Sequence, residues 1–142
     1  TIMGKVQILA VLTMDGCLSS ELYDKAHQDL CLDRCGLDEI RKKALYRVTP
    51  DYSISMLHEW RKDGTNIRYL AEATPDTADY INGLLRMHAV DEIILYTVPF
   101  ISGSGRHFFK SALPEQHWTL SSLKSYPNGV CRIIYILDKK AR

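Results

Sequence analysis

Three short segments that lie in or beside turns could contact a ligand. Asp15 and Gly16 directly follow a long apolar stretch. Open α/β sheets bind ligands beyond the carboxyl ends of their strands, so this pair is a candidate ligand-binding turn. An ordinary Asp-Gly turn would have the same sequence. The other two segments are a glycine-rich loop and the basic cluster that follows it.

The glycine-rich loop contains Gly103 and Gly105, and the basic cluster consists of Arg106, His107 and Lys110. Glycines let a backbone come close to a ligand or to another strand. A G-x-G sequence without a following helix is not by itself a dinucleotide-binding fingerprint. The basic side chains could bind a phosphate group, and a solvated basic loop would have the same composition. The sequence leaves both alternatives open.

A possible metal site arises from His27, Cys31 and Cys35, which are spaced four residues apart and would lie on one face of a helix. Imidazole and thiolate groups are good zinc ligands, but zinc sites usually take ligands from two segments, and no second pair is present. Free cysteines are also among the most often buried residues. We therefore expect these cysteines to belong to the core and the protein to bind no metal.

The elements that must position these groups alternate between strands and helices. We predict strands at residues 6–14, 66–71, 93–98, 118–120 and 130–137. We predict helices that begin at Ser19 or Ser20, Leu37, Met56 and Pro75, the last capped by Thr74. The first strand is apolar on both faces, which is typical of the centre of a sheet covered by helices. The pattern predicts an α/β fold, a three-layer α/β/α sandwich with a central mixed sheet.

Length and charge limit the function classes. The 142 residues suit a single domain, 1–142. Eighteen basic and seventeen acidic residues leave a formal charge of +1, which gives no general attraction to nucleic acid or anionic lipid. No apolar stretch is long enough for a membrane helix. We expect a cytoplasmic protein that acts on a small molecule and binds neither nucleic acid nor membrane.

Three segments occur in an order known from one protein family: A-V-L-T-M-D-G at 10–16, V-D-E-I-I-L at 90–95 and P-F-I-S-G-S-G-R-H-F-F at 99–109. They are similar to a strand with an Asp-Gly opening, a V-D-E-L strand start and a P…G-x-G…l-F loop. Together they resemble dihydrofolate-reductase-like proteins. The nearest subgroup is the C-terminal reductase domain of the bifunctional riboflavin-biosynthesis deaminase/reductase.

The resemblance implies an eight-stranded mixed sheet, a homodimer, and NADPH-dependent reduction of a pyrimidine or pterin-type substrate. The most similar activity is that of the riboflavin-pathway 5-amino-6-(5-phosphoribosylamino)uracil reductase. It implies that Asp15 and Gly16 form the catalytic turn and that the basic cluster Arg106, His107 and Lys110 binds substrate. The residues implied to contact NADPH are Ala71, Glu72, Ala73, Thr74, Gly103 and Gly105.

Two departures from the family pattern bear on this function. The family's Gly-Gly turn, whose amides meet the NADPH diphosphate, is replaced by Glu72-Ala73 or Ala71-Glu72. The segment before Tyr52 also leaves little room for the strand and G-x-x-T element on the adenosine side of the cofactor. An alternative function is therefore a cofactor-impaired or inactive member that serves as a dimeric ligand-binding scaffold.

Overall fold

A mixed β-sheet forms the centre of the computed structural model, which describes residues 4–19, 28–62, 67–103, 106–110 and 112–138. Six strands in these ranges are arranged in the order β2-β3-β1-β4-β6-β5. They are β1 Lys5–Leu12, β2 Tyr46–Arg47, β3 Arg68–Glu72, β4 Glu92–Thr97, β5 Trp118–Ser125 and β6 Cys131–Leu137. The first four strands are parallel, whereas β6 is antiparallel to both β4 and β5.

Strand β1 lies in the middle of the sheet, between β3 and β4. Every residue of β1 after Lys5 is buried. Ile8 and Ala10 point into one core cluster, whereas Leu9 and Val11 point into the other. Apolar side chains on both faces are what a strand needs when helices cover the sheet on both sides. The predicted central position of this strand is confirmed.

Helical segments cover both faces of the sheet. They are the 3₁₀ helix Leu32–Cys35 and the helices α1 Leu37–Lys43, α2 Ile54–Trp60 and α3 Ala78–Arg86. The 3₁₀ helix and α1 pack on one face through Leu32 and Leu37. Helices α2 and α3 pack on the other face through Leu57, Ile81 and Leu84. The predicted α/β sandwich with a mixed sheet is confirmed.

The implied strand count and one helix start differ from the structure. The described residues form six strands rather than eight. Helix α3 begins at Ala78 rather than Pro75, because Thr74 and Thr77 form a turn before it. The Thr77 hydroxyl donates to the carbonyl oxygen of Glu72 (2.9 Å), and the Thr74 amide donates to the Thr77 hydroxyl (2.8 Å). The predicted helix start at Ser19 or Ser20 cannot be compared, since residues 20–27 lie outside the described ranges.

Strand β2 was not predicted, although it places Tyr46 and Arg47 beside β3. Its two residues are both exposed, so they carry no alternation of buried and exposed positions from which a strand could be recognised. The segment before Tyr52 therefore holds a strand of two residues.

The cysteines do not share a helical face as their spacing predicted. Cys31 has a left-handed backbone (φ 50°) and is exposed, whereas Cys35 is buried. The third member of the predicted column, His27, lies outside the described residues. Among the described residues, no three His, Cys, Asp or Glu side chains are grouped so that they could hold a metal ion. No helix in the same ranges is long and apolar enough to cross a membrane.

Candidate functional site

The carboxyl ends of β3, β1 and β4 lie side by side at one edge of the sheet. After β1 the chain moves to one side to form β2 and β3, and it then crosses β1 to form β4. The segments after β1 and β3 therefore leave the sheet over opposite faces. Such a reversal leaves a crevice in which open α/β sheets bind ligands. The predicted site residues that the structure describes lie at the end of β3 or in the loops that follow the three strands.

The carboxylate of Asp15 holds the loop after β4 against the end of β1. It accepts hydrogen bonds from the Thr13 hydroxyl and from the backbone amides of Ser102 (3.1 Å) and Gly103 (3.0 Å). The hydroxyl and the two amides favour the charged form and hold the pKa of Asp15 well below its ordinary value of 3.8. At neutral pH the side chain is therefore an ionised acceptor with no proton to donate.

Residues 16–18 and 106–108 run antiparallel as a short ribbon beside Asp15. The amide of Leu18 donates to the Arg106 carbonyl (2.8 Å), and the amide of Phe108 donates to the Gly16 carbonyl (3.2 Å). Gly16 has a φ of +79°, and a Cβ at this residue would lie 3.7 Å from His107 Cδ2. The ribbon therefore places the His107 imidazole next to the predicted catalytic turn.

The other end of this loop is held by Asn82, which sequence analysis did not identify. Its side chain is fully buried in α3. The amide nitrogen donates to the carbonyls of Ala78 and Phe108 (both 2.8 Å), and the amide oxygen accepts from the Lys110 backbone nitrogen (3.0 Å). The signal in the sequence was an asparagine on the apolar face of the helix, where a buried amide needs partners.

The basic cluster is presented by this clamped loop. Arg106 and His107 are exposed, and Lys110 is half-buried. None of the three forms an ion pair with an acidic side chain in the part of the chain that the structure describes. Gly103 lies at the Asp15 contact, whereas Gly105 falls outside the described residues. The cluster is therefore an exposed cationic surface next to Gly16.

Glu72, the last residue of β3, stands where the family pattern has a glycine. The carboxylate of Glu72 forms ion pairs with Arg41 of α1 and with Arg47 of β2, the latter at 3.6 Å. Two guanidinium groups and one carboxylate leave one net positive charge. Glu72 is therefore bound to cations rather than standing as an isolated negative charge. Ala71 before it is buried in the core.

The backbone amides that follow Glu72 already donate hydrogen bonds within the protein. The amide of Ala73 donates to the Leu9 carbonyl (2.7 Å), and that of Thr74 donates to the Thr77 hydroxyl. Gly103 donates its amide to Asp15. The amides of Ala73, Thr74 and Gly103 thus have protein acceptors. The charged groups available at this edge are side chains.

No protein-family model matches this sequence, and no curated protein matches it either. The fold does match solved structures. Acinetobacter baumannii RibD superposes with a TM-score of 0.62 at 12% identity, covering 98% of this chain and 59% of that one. A riboflavin biosynthesis reductase from Saccharomyces cerevisiae has a TM-score of 0.53 at 11% identity, with coverage of 98% and 91%. Dihydrofolate reductase from Enterococcus faecalis, complexed with NADP(H), has a TM-score of 0.53 at 11% identity, with coverage of 95% and 97%.

These comparisons establish the fold. It is dihydrofolate-reductase-like, and its neighbours include riboflavin-pathway reductases, as the sequence segments had indicated. The chain spans about three-fifths of the Acinetobacter protein, 59% of its length. Identities of 11–12% carry no residue roles from these proteins to this one.

Proposed function

We propose that the protein is an NADPH-dependent reductase of a small pyrimidine or pterin-type molecule, most like the riboflavin-pathway reductases. The observation that carries the proposal is the convergence of three loops at the carboxyl edge of β3, β1 and β4. That edge presents the Asp15-Gly16 turn, the basic cluster and the Arg41–Glu72–Arg47 group together. The names of two fold neighbours, a riboflavin biosynthesis reductase and a dihydrofolate reductase complexed with NADP(H), support the reaction class.

The residues present fit NADPH by charge but not by backbone amides. The Arg41–Glu72–Arg47 group has a net positive charge, and the Arg47 side chain is 58% exposed. We infer that Arg41 and Arg47 would hold phosphate groups of the cofactor by charge-assisted hydrogen bonds. When bound, the cofactor supplies the hydride. The chain's own contribution is to bind and orient both molecules at the sheet edge.

The substrate position in this proposal is the surface between Gly16 and the basic cluster. Arg106, His107 and Lys110 would bind a phosphate or another anionic group of the substrate. Their backbone is fixed by the ribbon with residues 16–18 and by Asn82, which reduces the entropy lost on binding. Asp15 acts in this arrangement by holding the loop rather than by transferring a proton.

The alternative, a cofactor-impaired scaffold, is favoured by a specific observation. The amides of Ala73, Thr74 and Gly103 are occupied by protein acceptors. If side-chain cations do not replace them, the fold would bind its small-molecule ligand without the cofactor. The two functions differ in whether NADPH binds at all.

We also propose that the protein forms a homodimer through β5 and β6. Register places Leu120, Leu123, Ile133 and Tyr135 on one sheet face, and Leu120 and Leu123 are 52% and 64% exposed. Strand β5 is also an edge strand, whose unpaired groups invite pairing with another chain. Sedimentation of the wild type should show a dimer at micromolar concentration, and Leu123→Glu should shift it to monomer. A monomer in the wild type would exclude the dimer.

The experiment that tests the reductase is a titration with NADPH and NADH, followed by thermal unfolding and by quenching of protein fluorescence. We expect NADPH to raise the melting temperature and Arg47→Met to weaken this effect. Lys62→Met, which removes an exposed positive charge beyond α2, should leave it unchanged. If neither cofactor changes the melting temperature at millimolar concentration, the reductase proposal is wrong and the scaffold alternative stands.

A further inference from the structure

A second group of polar side chains surrounds Gly36, on the sheet face opposite α2 and α3. Gly36 links the 3₁₀ helix to α1 and has a φ of +83°. A Cβ at this residue would lie 3.2 Å from an Nη atom of Arg132, 3.6 Å from the Tyr126 hydroxyl oxygen and 3.7 Å from the Tyr96 hydroxyl oxygen. Side chains from β4, from β6 and from the residue after β5 therefore converge on Gly36, where a Cβ would be tight against Arg132.

Arg132 carries the charge of this Gly36 cluster, which consists of Gly36, Tyr96, Tyr126 and Arg132. Its Nε atom is buried and has no hydrogen-bond partner. No acidic side chain in the described ranges forms an ion pair with it. A guanidinium that has lost part of its hydration normally has a carboxylate or phosphate beside it, because an unpaired charge is costly to bury.

The two tyrosines supply neutral polar groups to the same point. The hydroxyl of Tyr96 donates to the Cys35 carbonyl (2.8 Å), and its oxygen lies beside the Arg132 guanidinium at the Gly36 position. Burial raises the pKa of Tyr96 to about 12, so this group does not neutralise the guanidinium at physiological pH. The half-buried Tyr126 adds a second hydroxyl without a formal charge.

A second cation lies directly beside the cluster. Lys124 of β5 pairs across the strands with Arg132, so both side chains point to the same face of the sheet. Its Nζ atom lies 5.2 Å from the centre of the Tyr126 ring. Like charges at directly opposed positions destabilise a sheet. An anion between the two cations would reverse the sign of this interaction.

We propose that the Gly36 cluster binds the oxyanion group of a small ligand, a carboxylate or a phosphate. Arg132 would contact the anion through its Nη edge, Tyr126 would donate its hydroxyl hydrogen, and Lys124 would add charge from the rim. Gly36, Tyr126 and Arg132 are half-buried, so a small anion can approach from solvent while most water is excluded. The proposal does not depend on dinucleotide binding.

The test uses inorganic phosphate and acetate as probes, each added to the full chain at constant ionic strength with chloride as the reference. The resonance of the Arg132 Nε–H group is followed by NMR, and the melting temperature is measured in parallel. We expect a saturable shift of this resonance and a rise in melting temperature with at least one probe. A stronger response to phosphate or to acetate identifies which oxyanion the site prefers.

Three variants distinguish an anion-binding site from an arginine that has only a structural role. Tyr126→Phe and Arg132→Met should each weaken binding, the latter by about tenfold or more, as expected for the loss of a charge-assisted hydrogen bond. Lys43→Met, at the far end of α1, is the control for an equal loss of charge and should bind as the wild type does.

The proposal is overturned if neither probe gives a saturable shift in the wild type, or if Tyr126→Phe and Lys43→Met bind equally well. These two outcomes do not require Arg132→Met to fold. NADPH is absent from every arm, so failure of the reductase proposal would leave the result unchanged.

Discussion

Replacing Glu72 by glutamine should strengthen NADPH binding, because this carboxylate now neutralises one of two arginines. Glu72 pairs with Arg41 and Arg47, whose side chains are 24% and 58% exposed. Removal of the carboxylate raises the net charge of the group from one to two positive charges. One added charge pair about 4 Å apart contributes about 1 kcal/mol in water and several-fold more in an enclosed site. Since both arginines are partly exposed, we expect the lower value, a gain of roughly five- to tenfold in affinity.

The effect of the Glu72 charge can be distinguished from an effect of the missing Gly-Gly turn. If missing glycines weaken binding, Ala73→Gly should strengthen it. The Ala73 amide, however, already donates to the Leu9 carbonyl at 2.7 Å. We therefore expect Ala73→Gly to have no effect, and the double variant with Glu72→Gln to bind NADPH as Glu72→Gln alone does.

The assay is a fluorescence titration of each variant with NADPH at low and moderate salt. The gain from Glu72→Gln should decrease as salt screens the arginines. Glu59→Gln, an exposed carboxylate on α2, is the control for a change of charge elsewhere. Tighter binding by Ala73→Gly would refute the argument from the occupied amide. Equal binding by wild type and Glu72→Gln would show that Arg41 and Arg47 do not contact the cofactor.

Three further predictions concern stability. Leu9→Ala should lower the free energy of unfolding by about 2–5 kcal/mol in urea titrations, because Leu9 is 1% exposed and its removal leaves a cavity in a central strand. Asp91→Asn should cost about 3 kcal/mol in the same assay, since it removes the carboxylate that pairs with the buried Arg61 at 3.1 Å. Asp15→Asn should lower the melting temperature at neutral pH. This difference should shrink as pH falls below the ordinary carboxyl pKa of 3.8 and through the lower pKa of the folded state.

Each of these three predictions would be contradicted by a specific outcome. A cost below about 1 kcal/mol for Leu9→Ala would be too small for a fully packed core position. An unchanged stability of Asp91→Asn would mean that water replaces the ion pair. A difference between Asp15→Asn and wild type that grows as pH falls would reverse the sign expected for a carboxyl group with a lowered pKa.

The sequence was most informative where local patterns determine structure. Apolar residues on both faces of residues 6–14 identified the central strand, and Asp15-Gly16 identified its end. The last two strands are joined by Pro127, Asn128 and Gly129, which are residues that favour turns. Each of these features depends on residues that are adjacent or regularly spaced along the chain.

The candidate site depends instead on contacts between distant residues, which no periodicity records. Glu72 meets Arg41 across 31 positions, and Asn82 meets Phe108 and Lys110 across 26 and 28 positions. In the sequence, Glu72 appears only as a residue that replaces part of the family's Gly-Gly turn, with no indication of a partner. The structure gives that carboxylate two positive partners, and the expected direction of its effect depends on them.

The hydrogen bonds of the loop after β4 limit how a ligand can bind at this edge of the sheet. At one end of the loop, Asp15 accepts hydrogen bonds from the amides of Ser102 and Gly103. At the other end, Asn82 accepts a hydrogen bond from the Lys110 amide. A ligand phosphate would have to displace an ionised carboxylate or a fully buried amide to reach these donors. Recognition by the exposed cationic side chains requires no such displacement. Binding at this edge should therefore weaken steeply with added salt, whereas recognition by backbone amides in a closed site would be much less sensitive.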